Sequence, residues 1–317
     1  MSTTLATPRG PTWPPPALDP AGPFAAPLAE ITWVMIALGV TVALIVFVLL
    51  AIALRGDGPN WLRRNRVVVI GGFAFPVVVL SAALVYGLTT TARLTEPPGA
   101  DELRIRVVGE MWWWRVIYFD AQSGAPLFET ANEIRIPANR PVTLELESAD
   151  VIHSLWAPRL GAKLDMIPGR RNILRIQADE PGIYRGHCAE FCGLAHALMA
   201  FEIHAVDDEA FAAWLTAQGA PAAAQADARS VALFSSVGCA ACHAIRGSGA
   251  DGRAGPDLTH FASRRTLGAG ILHNEPQVLR AWIADAHALK PGVRMPPYDT
   301  IPERDREALA LYLEGLR

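Results

Sequence analysis

The sequence has few cysteines and little net charge. Its four cysteines fall as two close pairs, Cys188/Cys192 and Cys239/Cys242, each inside a motif with metal- or haem-binding spacing. None is left for long-range stapling, so cysteine usage here points to redox cofactors. The net charge is −3 and charged residues make up only 19% of the chain, which offers no basic patch for a nucleic acid. The first 30 residues carry one basic residue, Arg9, and no short apolar run ending in a small-residue cleavage site. A cleavable signal peptide is therefore not expected. What the chain has in plenty is apolar: 51% of its 317 residues are hydrophobic, which points to membrane segments.

Two runs carry that excess. Ile31 to Leu54 is uninterrupted and long enough to cross a bilayer as a helix, and Val67 to Thr91 is a second, with Pro76 inside it. Arg55, Arg63, Arg64 and Arg66 crowd the short connection between them. The positive-inside rule places that loop in the cytoplasm, and the N-terminal tail (1–30) and everything after the hairpin on the outer face.

From 102 to 206 the pattern changes to short β-branched runs broken by Gly, Pro and Asn. Leu103–Val108, Glu133–Ile136 and Val142–Leu146 alternate apolar and polar residues as half-buried strands do, which predicts an all-β sandwich or barrel. Within it, Trp112-Trp113-Trp114 cannot share one face of a strand, so Trp113 is expected to point away from its two neighbours. After it, Asp207 to Gln218 reads as a short helix with Phe211, Trp214 and Leu215 on one face. The Ala-rich stretch up to 226 reads as a linker.

The last segment, 227–317, holds Cys239-Ala240-Ala241-Cys242-His243, the c-type haem attachment pattern: two thiols for thioethers and an adjacent histidine as axial ligand. A thiol redox pair is the competing reading of a bare Cys-x-x-Cys. The order of the flanks, from Ala232-Leu233-Phe234 through Gly255-Pro256-Asp257-Leu258 and Arg294-Met295-Pro296-Pro297 to the closing Arg306–Leu313 run, is similar to an all-α class I cytochrome c. That similarity implies Met295 as the distal ligand, with His260, His273 and His287 as rivals, and the Pro256 carbonyl as the group that orients His243.

The densest constellation is Cys188-x3-Cys192-x3-His196-x2-Met199. Thiolates, imidazole and thioether suit copper or another thiophilic metal and not calcium or magnesium. A mononuclear blue-copper loop needs one thiolate; two can bridge a metal pair, and His153, at the end of a strand-like run, offers a further nitrogen. A short-range Cys188–Cys192 disulfide is the bland alternative, and it leaves the His and Met spacing without a reason.

Asp150 to Met199, including Pro168-Gly169-Arg170 and Cys188-Ala189-Glu190-Phe191-Cys192-Gly193, resembles subunit II of haem–copper cytochrome c oxidases. With the cytochrome domain added, the whole resembles the caa3 type. The resemblance implies that the all-β domain is a cupredoxin-like Greek key holding a binuclear CuA centre: Cys188 and Cys192 bridge, His153 and His196 each bind one copper, and Met199 and the Glu190 carbonyl are the weak ligands. By the family's aromatic segment, Trp112 is the exposed ring through which electrons reach CuA. It further implies covalent haem c, a magnesium at the subunit I interface reached by the Glu190 side chain, and partner subunits I and III/IV in a bacterial cell membrane. Electrons would pass from an external donor through haem c and CuA to subunit I for reduction of O2 coupled to proton translocation. The glutamate many relatives carry near the start of the second helix has no counterpart in Val67–Gly72, so no proton-channel residue is assigned. Two other functions fit the same motifs: the electron-input subunit of a CuA-containing nitric oxide reductase, and a free-standing membrane-tethered electron carrier.

Overall fold

The computed structural model describes residues 15–56, 58–99, 101–120, 122–222 and 228–317. The first 14 residues of the expected tail and the last part of the expected linker lie outside these. Two 30-residue apolar helices come first, α1 (Ala26–Arg55) and α2 (Asn65–Leu94), and their apolar stretches are not buried by any other part of the chain. Helix α1 stops where Gly56 takes a left-handed φ of 78° and caps the Ala53 carbonyl. Helix α2 widens into one π-turn over Ile70–Ala74, just ahead of Pro76. Proline cannot donate to the preceding turn and crowds it, and a wider turn relieves that crowding.

Ten strands follow, in two five-stranded sheets. One sheet has the order β3 (Pro126–Ala131), β2 (Trp113–Phe119), β1 (Leu103–Glu110), β5 (Val142–Ser148), β8 (Asn172–Ile176). The other has β4 (Glu133–Pro137), β10 (Ala200–Val206), β9 (Gly182–Cys188), β6 (His153–Trp156), β7 (Leu164–Met166). Alternation in β1 turns Ile105 and Val107 inward, where they meet Leu144, Leu146, Ile134 and Phe201 between the sheets. Helix α3 (Asp208–Gly219) is capped by the Asp207 carboxylate, which accepts from the Ala210 amide at 2.8 Å. It packs Phe211, Trp214 and Leu215 onto the sandwich.

At the edge of the sandwich, Glu102 accepts hydrogen bonds from Arg175 Nε (3.1 Å), Thr143 Oγ1 (2.7 Å) and the Gly99 amide (3.0 Å). Burial alone would raise its pKa, but Arg175 and the other donors outweigh burial and hold the carboxyl below its ordinary value. A depressed folded pKa contributes stability at neutral pH that is lost as pH falls through the carboxylate range. Glu102→Gln should therefore destabilise the protein at pH 7, and acid titration of unfolding should bring mutant and wild type together as the pH drops.

The C-terminal domain has its own core. Helices α4 (Ala228–Ser236) and α7 (Glu303–Glu314) meet through Phe234 and Tyr312, edge to face at 5.8 Å. Between them lie α5 (Pro276–Ala284), α6 (Ala286–Leu289) and two short hairpins, β11–β12 (Ala244–Ile245, Ala250–Asp251) and β13–β14 (Thr266–Leu267, Leu272–His273). The turn Gly268-Ala269-Gly270 holds three consecutive left-handed residues, φ 67°, 64° and 75°, and it reaches the sandwich: the Ala200 amide donates to Ala269 O at 3.0 Å.

Candidate metal and haem centres

Strand β9 ends at Cys188, and the chain turns through Cys192 and a short helical turn at His196–Leu198 before β10. The turn is fastened by backbone bonds, Cys188 N to Met199 O (2.8 Å) and Ala189 N to Ser154 O (2.9 Å). Six candidate ligand groups converge there. Cys188 Sγ lies 3.7 Å from Cys192 Sγ, 3.9 Å from His153 Nδ1 and 3.2 Å from the Glu190 carbonyl oxygen. Cys192 Sγ lies 3.5 Å from His196 Nδ1 and 3.8 Å from Met199 Sδ. A disulfide needs about 2 Å between sulfurs, so the bland alternative fails: both thiols are free and buried. The hydrogen bond between them splits their acidities, lowering Cys188 and raising Cys192. Two thiols, two imidazoles and a thioether in a buried pocket fit copper by donor type.

His153 is fully buried and its other ring nitrogen, Nε2, is 2.8 Å from Asp150 Oδ1, which leaves Nδ1 facing the thiols. Asp150 also accepts from the Met111 and Val151 amides, both at 2.8 Å. The ring lies over Gly109 of the facing sheet, where a Cβ would come within 2.7 Å of His153 Cδ2. Asp150 and Gly109 thus position a candidate ligand, and neither role is visible as a motif, because Gly109 comes from another strand and the Asp150 contact depends on the turn. Asp150→Ala should weaken copper retention by about 10–100-fold in chelator competition, with Asp150→Asn closer to wild type. Equal affinities for all three would remove this role.

A cavity of about 540 Å³ in the C-terminal domain is lined by Cys239, Cys242, His243 and Met295. His243 Nδ1 sits 2.7 Å from the Pro256 carbonyl, which leaves Nε2 as the available ligand atom. Gly255 is required beside it, since a Cβ there would lie 2.6 Å from His243 Cε1. Burial keeps the imidazole below its ordinary pKa and so neutral, the form that binds metal. Among the described histidines His243 alone lines the cavity; His260 instead bonds the Ala220 carbonyl through Nε2 at 3.1 Å.

The cavity is not closed by its own domain. Glu110, Met111, Trp112 and Trp113 of the β-sandwich form part of its wall. Trp112 donates from Nε1 to the Cys192 carbonyl at 2.9 Å. The expectation of an exposed Trp112 ring is corrected here: the ring is half-buried, and it lies so close to Gly292 of the C-terminal domain that a Cβ there would come within 2.9 Å of it. Strand β2 starts only at Trp113, so Trp112 sits in the turn before it, while Trp113 stacks with Arg115 and Trp114 enters the core.

Residues 103–206 match the model of the cytochrome c oxidase subunit II periplasmic domain, and residues 228–317 match that of cytochrome c. With two apolar helices in front, this defines a membrane-anchored redox subunit. The chain is 34% identical to cytochrome c oxidase subunit 2 of Alkalihalophilus pseudofirmus, over 95% of this chain and 90% of that relative. It is 28% identical to cytochrome c oxidase subunit 2 of Bacillus sp. strain PS3, over 76% and 72% of the two chains. The crystal structure of the periplasmic domain of subunit II of cytochrome oxidase from Bradyrhizobium japonicum is 33% identical, with a TM-score of 0.35 over 38% of this chain and 95% of that one. The chain belongs to the cytochrome c oxidase subunit 2 family, in the caa3-type arrangement with a fused cytochrome c. It is the electron-input subunit of a haem–copper oxidase, carries copper and haem c, and associates with subunit I in the membrane.

Proposed function

We propose that the copper is a binuclear CuA pair held by Cys188, Cys192, His153, His196, Met199 and the Glu190 carbonyl, and that haem c is held by Cys239, Cys242, His243 and Met295. The observation that carries this reading is the convergence of the six ligand groups, linked by separations of no more than 3.9 Å, in a pocket fastened at both ends by backbone hydrogen bonds. When bound, the haem and the copper pair supply reversible one-electron chemistry between an external donor and subunit I, where O2 is reduced to water with proton translocation. The protein's own residues do the rest. The rigid sandwich holds the ligands in one geometry for both oxidation states; Asp150 fixes the His153 ring; and Trp112 joins the wall of the haem cavity to the Cys192 peptide, which makes it the route between the two centres.

Both extramembrane domains lie on the outer face in this reading, with the arginine-rich loop inside. The Glu190 side chain contributes to a magnesium site against subunit I, since magnesium takes few carboxylates and keeps its waters. Subunits III/IV complete the complex. The test is to purify the complex with its partners, quantify copper and haem c per chain, and assay turnover with O2 and with NO. Copper in a one-to-one ratio with haem c, or turnover with NO alone, would overturn the reading.

A further inference from the structure

The boundary between the sandwich and the cytochrome domain contains a buried lysine that has no carboxylate partner among the described residues. Lys290, which follows α6, is 1% exposed, and its ammonium donates to Trp112 O at 2.7 Å and to Gly268 O at 2.8 Å. Trp112 belongs to the copper-bearing domain and Gly268 to the haem-bearing one. Burying an ammonium is costly unless its donors are used. Burial drives Lys290 down to about 7. The chain is otherwise sparing with lysine: Lys163 is the only other one, and arginine supplies the remaining basic residues. A compact ammonium fits between two carbonyls where a planar guanidinium fork does not.

Trp112 is thereby held at both ends. Its indole N–H bonds the copper loop at Cys192, and its carbonyl bonds the cytochrome domain through Lys290. We propose that Lys290 is a positioning residue for electron input: by bridging the Trp112 and Gly268 carbonyls it fixes the haem cavity in register with the copper loop. This rests on the reading of Trp112 as the route between the centres. The neighbouring contacts, Arg185 Nη2 to Gly270 O (2.6 Å) and Ala200 N to Ala269 O (3.0 Å), hold the far side of the same turn. They keep the domains associated when Lys290 is changed, so its removal loosens the register without separating the domains.

The test uses the purified oxidase complex carrying Lys290→Met, with Lys163→Met as control. Pulsed EPR between oxidised haem c and copper gives the distribution of their separations, and rapid reduction of haem c gives the rate of transfer to copper. In Lys290→Met the haem and copper spectra should match wild type, the distance distribution should broaden, and the transfer rate should fall on the order of tenfold. Lys163→Met should change neither. A Lys290→Met distribution as narrow as wild type, with a rate within a factor of about two, would overturn the proposal. Should Lys290→Met fail to assemble, Lys290→Gln, a shorter and uncharged donor, is judged by the same two readouts. Wild-type protein that shows no first-order transfer would instead defeat the reading of Trp112 and the fused cytochrome. Wild-type transfer with an unchanged variant would defeat only the role of Lys290.

Discussion

Cys192→Ser is expected to abolish the mixed-valence EPR and near-infrared signals of the copper pair and at least halve the copper content, with haem c retained. Cys192 is the common neighbour in the cluster: its sulfur lies 3.7 Å from Cys188, 3.5 Å from His196 and 3.8 Å from Met199. A hydroxyl in its place is a hard, poorly acidic donor that does not bridge two coppers as a thiolate does. The remaining ligands can hold at most one metal ion. Cys239 and Cys242, proposed to attach haem c, lie in the separate C-terminal domain, so haem c should not respond. Copper quantification and EPR of the membrane complex decide the matter, and a delocalised two-copper signal in the variant would refute the bridging assignment. Met199→Leu should be much milder, moving the potential without emptying the site, because the thioether is a weak ligand.

The second large effect is expected at Met295. This residue lines the haem cavity with His243, and among the described methionines Met111 alone also reaches the cavity wall, from the other domain. Met295→Ala should remove the sulfur-to-iron charge-transfer band while leaving both thioethers intact. The reduction potential should fall by about 0.2 V, part of the roughly 0.8 V that axial ligands span. Visible spectroscopy and a redox titration of the same sample provide the check. A surviving band would mean another ligand binds the iron, and Met111 would be the first to examine.

Much of this was legible because the chemistry is local in sequence. Cys188, Cys192, His196 and Met199 fall within one turn of chain, and Cys239, Cys242 and His243 within another, so residue type and spacing sufficed to name the metals. Strands β1 and β4 were legible from alternation, since each turns one face to the core and the other to partial solvent. Strands β6, β9 and β10, which carry His153 and the copper loop, are instead buried over most of their length and show no regular alternation. Where the sequence misled, the cause was contact between domains. Trp112 reads as exposed when the sandwich is considered alone, and it is half-buried because Gly292 of the cytochrome domain, 180 positions on, lies against it. Lys290 has no pattern around it, since its partners are two backbone carbonyls far away in the chain. Gly109 likewise reads as an ordinary strand residue until the facing sheet brings the His153 ring over it.

The domain boundary also bears on how such a fusion can change over time. Across it, the acceptors include the carbonyls of Trp112, Glu129, Ala269 and Gly270, met by donors from Lys290, Arg246, Arg185 and the Ala200 amide. A carbonyl presents the same oxygen whatever side chain its residue bears, so a position that meets the seam through its carbonyl alone can change silently. What must be inherited there is the path of the backbone, above all the left-handed turn at Gly268-Ala269-Gly270, where bulkier residues are disfavoured. The side-chain donors Lys290, Arg246 and Arg185 are under the opposite rule, because there the side chain itself is the contact. Descendants of such a fusion should therefore diverge unevenly on both lips of the seam, with drift where only a carbonyl is used and restraint at Lys290, Arg246 and Arg185.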